Sequence, residues 1–220
     1  MKQIMEPTFE IAYLLVGLFF SIWIIAIAKK RIHFYLFGLM GLTLVIGDSF
    51  HLIPRIIDAW NIPVYDIYAM LGIGKAVTSI TMTVFYVMLF WFYKLKYNKV
   101  THWALDLSVY FLAVVRIIIC LLPQNEWLLN DAPYEWGIYR NIPFIILGIL
   151  MIVISYKWTK QKNDVEFKYA WIAISLSFVF YTLTFTVSRF VPLFGMFMIP
   201  KTLCYIWLLI MGFRSARKKE

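Results

Sequence analysis

The segment Gly47-Asp48-Ser49-Phe50-His51-Leu52-Ile53-Pro54-Arg55 sets a carboxylate, an imidazole and a guanidinium at positions i, i+3 and i+7. On a helix that spacing turns Asp48, His51 and Arg55 toward one side. A carboxylate and an imidazole are the groups whose titration ranges suit proton transfer, so Asp48 and His51 are the candidate acid/base residues. Apolar sequence flanks the stripe, and an ionisable side chain in such surroundings costs about 2.5–3.5 kcal/mol to insert into a bilayer. Charges kept at that cost mark the place to look for function.

Three further cations stand alone in other apolar runs: Lys75, Arg116 and Lys201. Counted at about 1.5 Å per residue from the ends of their runs, they fall about 12, 10 and 12 Å from the same end of the molecule, and Asp48 about 9 Å from it. Arg140 and Arg189 stand at the rim of that end, and hydroxyls such as Ser49 and Thr78 join the layer. One carboxylate cannot neutralise so many cations, and unpaired charge facing lipid is costly. The expectation is a wet cavity that takes an anion, a lipid phosphate or a carboxylate, on Arg55, Lys75, Arg116, Arg189, Lys201, Ser49 and Thr78. Taken singly, Lys75 and Lys201 have the length to snorkel, the rim arginines suit solvated helix ends, and Asp48 could pair with a cation to fix helix packing. Their common depth favours a shared site.

These residues need long elements to hold them. Of 220 residues, 62% are hydrophobic and 15% charged, against roughly 45–50% apolar in soluble domains, so a soluble globular fold is excluded. Apolar runs of about 20 residues match the hydrocarbon thickness of a bilayer as helices, whereas barrel strands alternate over about ten residues. The reading is an all-α integral membrane protein, one seven-helix bundle over residues 1–220, with spans 9–28, 33–54, 67–93, 103–123, 141–157, 167–188 and 193–213. The first ten residues carry Glu6 and Glu10 and lack the basic start of a signal peptide, so the first span is expected to stay in the mature protein.

The net charge of +9 is spread in a way that orients the chain rather than pointing to nucleic acid. Fourteen of the 21 basic residues lie in the linkers after the first, third and fifth spans and in the tail, from Lys29-Lys30-Arg31 to Arg214, Arg217, Lys218 and Lys219. The positive-inside rule puts that side in the cytoplasm and the N-terminus outside, with the bacterial plasma membrane as the expected location. Trp60, Trp127 and Trp136 form an aromatic belt on the other side, and His33 and His102 read as interfacial. A faint echo between Gly74-Lys75 and Pro200-Lys201-Thr202 fits an internal repeat.

Other chemistries find little material. Cys120 and Cys204 lie inside apolar runs and form no CxxC motif. No histidine follows His102, unlike seven-helix zinc hydrolases with late histidines, and no GxSxG, HExxH or phosphate-loop motif occurs. No metal or cofactor is expected; Lys201 as a retinal-binding amine is disfavoured by Pro200 beside it and by its shallow depth.

Val45-Ile46-Gly47-Asp48-Ser49-Phe50-His51-Leu52-Ile53-Pro54-Arg55 resembles the Leu-Gly-Asp signature of the YhhN-like lysoplasmalogenase family, and Tyr68-Ala69-Met70-Leu71-Gly72-Ile73-Gly74 does so more loosely. The layout of Val187-Ser188-Arg189-Phe190 and Met196 to Gly212 is similar to that family's late motif and final helix. The resemblance implies hydrolysis of the vinyl-ether bond of a lysophospholipid, with Asp48 as acid/base. Departures are Arg189 near the place of a second aspartate, Thr81 and its neighbours in place of a histidine, and seven spans rather than eight. Two readings stand open: a lipid-directed hydrolase using Asp48 and His51, and a non-catalytic transporter or receptor-like binder of an anionic small molecule or lipid.

Overall fold

The computed structural model of the chain describes residues 2–129, 132–188 and 190–218. Among them every regular element is helical: α1 Lys2–Ala28, α2 Ile32–Ala59, α3 Ile67–Tyr97, α4 Trp103–Leu121, α5 Tyr134–Gln161, α6 Ala170–Val187 and α7 Met198–Arg217, with 3-10 turns at Pro123–Asn125 and Pro192–Phe197. Seven segments are long and apolar enough to cross a membrane. The helices close a ring in which each packs on its chain neighbour and α7 packs back on α1. α3 touches α5, and α2 touches α7, across that ring. Short connections run the helices alternately up and down. One end, the N-terminal face, holds the starts of α1, α3, α5 and α7; the C-terminal face holds their other ends.

Several boundaries differ from the sequence expectation, and two differences bear on the site. α1 begins at Lys2 and runs through Pro7, so Glu6 joins the helix and Glu10 lies well inside it rather than at its start. α2 continues through Pro54 to Ala59. Proline there cannot donate to the Phe50 carbonyl, and that oxygen faces Gly74 of α3, where the absence of a side chain lets the helices close together. Gly47 makes the same allowance for Thr81. α5 starts at Tyr134 instead of 141, and the last span is divided between the 3-10 turn at Pro192 and α7.

Local signals fix the helix ends. Asp66 accepts a hydrogen bond from the Ala69 N–H at 3.0 Å and caps α3. Asn98 closes that helix in the left-handed region, φ 49°. His102 caps α4 by accepting from the Ala104 N–H at 3.2 Å. The centre is filled by aromatics, with Phe85, Tyr86, Phe90, Phe92 and Tyr93 of α3 fully buried, and Tyr93 meets Ser155 of α5 at 2.8 Å.

The C-terminal face is tied by charge. Asp164, between α5 and α6, accepts from Tyr97 at 2.9 Å, pairs with Lys96 at 3.3 Å, and receives the backbone N–H groups of Glu166 and Phe167. Lys96 also donates to Ser215 of α7 at 2.9 Å. Lys94 pairs with Asp106 at 2.9 Å, Lys218 pairs with Glu166 at 2.6 Å, and Arg31 donates to the carbonyls of Ala216 and Lys218.

Candidate functional site

Asp48 sits about 16 Å below the end of α2, counted at about 1.5 Å per residue from Ala59, deeper than the 9 Å that follows from ending the helix at Pro54. It is 7% exposed. From α1 the Tyr13 hydroxyl donates to its Oδ2 at 2.6 Å. From α7 Lys201, 5% exposed, lies close enough for the two charges to act on one another. No carboxylate comes within 4 Å of the Lys201 ammonium among the described residues. It rests instead over the rings of Tyr181 and Tyr205, 4.7 and 5.8 Å from their centroids.

Arg116 of α4 is the most deeply placed cation, 1% exposed. Its guanidinium stacks on Phe144 with Cζ 3.3 Å from the ring centroid. Its Nε and Nη1 are buried without a hydrogen-bond partner. Cys120, Tyr181, Tyr205 and Arg140 surround it at interaction range, and Lys201 adjoins it on the side toward Asp48. Nearby, the hydroxyls of Tyr86, Tyr205 and Ser177 lie within reach of one another, yet those of Tyr86 and Ser177 make no well-directed hydrogen bond. The interior beside Arg116 thus holds two guanidinium donors, Nε and Nη1, that no acceptor fills. That imbalance is costly in a closed protein, and an anion would relieve it.

The remaining predicted residues divide into three groups. His51 and Lys75 share the layer: the His51 ring lies against the Leu71 backbone with Nδ1 buried and unpartnered, and Lys75 stands exposed within charge range of Arg55, His51 and Arg140. Arg55, Ser49 and Thr78 are already engaged. Arg55 pairs with Glu6 and, at 3.3 Å, with Glu10 of α1; Ser49 donates to the Ile46 carbonyl at 2.7 Å, and Thr78 to the Gly47 carbonyl at 2.9 Å. Arg189 lies outside the described residues. The i, i+3, i+7 stripe on α2 therefore fans out, with Asp48 and Arg55 turned to α1 and His51 to α3.

Sequence reasoning missed three participants. Glu10, 5% exposed, is a second buried carboxylate; at the second residue of the first expected span it was weighed only as an N-terminal charge. Tyr13 looked like ordinary packing in an apolar run; its i+3 spacing from Glu10 was the available signal. Asn125 is fully buried, caps α4 by donating to the Ile119 and Leu122 carbonyls, and accepts from Arg140 at 3.0 Å. Arg140 also stacks over Trp127 at 4.3 Å, so it is held in place rather than solvated.

Glu6, Glu10, Tyr13, Arg55 and Thr202 line a cleft of about 20 Å³ between α1, α2 and the start of α7. That is room for about one water molecule. Among the described residues, no group of three or more His, Cys, Asp or Glu comes together in a way that could hold a metal ion. Comparison with protein-family models, with curated proteins and with solved structures finds no match for the chain.

Proposed function

We infer that the chain is an integral membrane protein, N-terminus outside and C-terminus in the cytoplasm, that binds an anionic small molecule or lipid headgroup through Arg116 and Lys201. The observation that carries the reading is Arg116, buried with two donor nitrogens unpartnered and Lys201 beside it. A phosphate or carboxylate bound beside Arg116 and Lys201 would supply the missing acceptors, and in low dielectric such charge-assisted bonds are the strong ones. The orientation rests on the basic C-terminal face. A transporter or receptor-like binder needs no more than this geometry.

The hydrolase reading has its own support in Asp48 adjoining Lys201 and in the resemblance of the Gly47-Asp48 segment to the lysoplasmalogenase family. In it Asp48 protonates the vinyl ether and Lys201 holds the phosphate away from the reacting carbon. One preparation tests both readings. Anions and lipids that co-purify in mild detergent are identified by mass spectrometry for wild type, Arg116→Gln, Lys201→Met and, as a rim control, Lys75→Ala. A specific anion retained by wild type and Lys75→Ala but lost from the other two supports the site; identical extracts sink it. Turnover of a lysoplasmalogen, lost in Asp48→Asn, would decide for the enzyme.

A further inference from the structure

Arg55, Glu10, Tyr13 and Asp48 form a line of polar groups running inward from the N-terminal face to Lys201. Glu6, with its side chain 43% exposed, begins it and shares Arg55 with Glu10, whose side chain is 6% exposed. Glu10 and Tyr13, one helical turn apart on α1, open onto the same water-sized cleft. The Tyr13 hydroxyl then reaches Asp48 at 2.6 Å. Nothing in the anion-binding reading requires this line, since the groups around Arg116 are Cys120, Tyr181, Tyr205 and Arg140. A second carboxylate buried beside a hydroxyl and a water-sized space calls for a role of its own.

We propose that Glu10 and Tyr13 form a proton path to Asp48, and that an anion on Lys201 and Arg116 is bound together with a proton on Asp48. The inference rests on the anion site proposed above and names what is co-bound there. With the site empty, the Asp48 carboxylate is the counter-charge of Lys201. A bound anion takes over that position, two negative charges then face one another at low dielectric, and proton uptake by Asp48 removes the repulsion. The groups that set the balance come from every packed element: Tyr13 from α1, Lys201 and Tyr205 from α7, and His51 and Arg55 along α2 itself, with Lys75 of α3 facing His51.

The transfer balances in a single pass. Glu10 as the acid gives its proton to a water in the cleft, that water gives one to the Tyr13 oxygen, and the Tyr13 O–H proton moves to Asp48 Oδ2. The net change is a neutral Glu10 becoming a carboxylate and the Asp48 carboxylate becoming neutral. Exchange with bulk water at Glu6 and Arg55 reloads Glu10.

The test follows the carbonyl stretch of protonated Asp48 by infrared difference spectroscopy on the full chain in liposomes, the band being assigned by its loss in Asp48→Asn. Two probes are added in turn, glycerol phosphate and lysophosphatidic acid, which carry the same phosphate monoester free and on a lipid. Either probe is expected to raise the band at fixed pH in wild type and not in Arg116→Gln, and the one that does so identifies the source. Linkage makes affinity fall by about tenfold per pH unit over the window in which Asp48 titrates, and Asp48→Asn flattens that slope. After a pH jump, Glu10→Gln and Tyr13→Phe each slow the appearance of the band by about a hundredfold, as loss of a positioned proton relay does. A probe that binds, shown by a thermal shift absent in Arg116→Gln, but leaves the Asp48 band unchanged overturns the coupling while sparing the anion site. Unchanged jump kinetics in both path variants overturn the path. If neither probe binds, the anion site and the coupling built on it fall together.

Discussion

Replacing Arg116 with methionine should make the empty protein more stable, the reverse of what removal of a buried residue usually does. Each unpartnered buried donor costs about 1–3 kcal/mol, and the guanidinium leaves two, Nε and Nη1, in that state. Stacking on Phe144 returns about 2 kcal/mol. The balance is a residual cost of about 2 kcal/mol, in line with the gain of about 1–4 kcal/mol seen when buried charges give way to apolar side chains of similar volume. At about 2–4 °C per kcal/mol for a chain of this size, Arg116→Met should raise Tm by about 4–8 °C. Intrinsic tryptophan fluorescence in detergent, with anions removed by dialysis, reads the shift. Adding the bound anion should raise the Tm of wild type and leave the variant where it stands. A drop of several degrees in the dialysed variant would refute the reasoning, because it would show that Arg116 is satisfied inside the fold and holds helices rather than a ligand.

Three further outcomes follow from the contacts. Gly74→Ala, which drives a methyl into the Phe50 carbonyl, should destabilise the protein by about 2 kcal/mol through overpacking, while Gly195→Ala, which meets nothing within 4 Å, should be neutral in the same thermal assay. Arg55→Ala leaves Glu10 buried without its cation and should cost about 2–3 kcal/mol, whereas Glu6→Ala, at a half-exposed partner, should cost about 0.5 kcal/mol. In intact cells a thiol reagent that cannot cross the membrane should label Tyr65→Cys and spare Val165→Cys, both positions being exposed at opposite ends of the bundle; the opposite pattern would reverse the proposed orientation.

The site was legible where depth arithmetic applied. Asp48, Lys201 and Arg116 announce themselves because a charge in an apolar run has few explanations, and counting along each run brought them to one layer. The count failed where a proline was read as a stop. Pro7 and Pro54 both lie inside helices, and neither ends one, because a bundle can absorb a freed carbonyl: that of Phe50 is accommodated by a glycine on the next helix. Ending α2 at Pro54 made Asp48 look shallow, and starting α1 at residue 9 set Glu10 at a helix end, so the sequence reading saw one intramembrane carboxylate where the fold buries two among the described residues. Tyr13 was illegible for a different reason. A phenol in an apolar helix packs like phenylalanine until a partner from another helix is known, and its partner is 35 residues away.

The knot of contacts around Asp164 has a mechanical consequence. It binds the α5–α6 connection to α3 and, through Lys96, to α7, while Arg31 ties the α1–α2 connection to the end of α7. Rods gripped at one end move most at the other. Over the stretch of α7 from Ser215 to Lys201, about 21 Å, a tilt of about 10° around that grip moves the Lys201 backbone by about 4 Å. The end of α7 that carries Lys201 can therefore shift against its neighbours while the opposite end of the bundle stays shut.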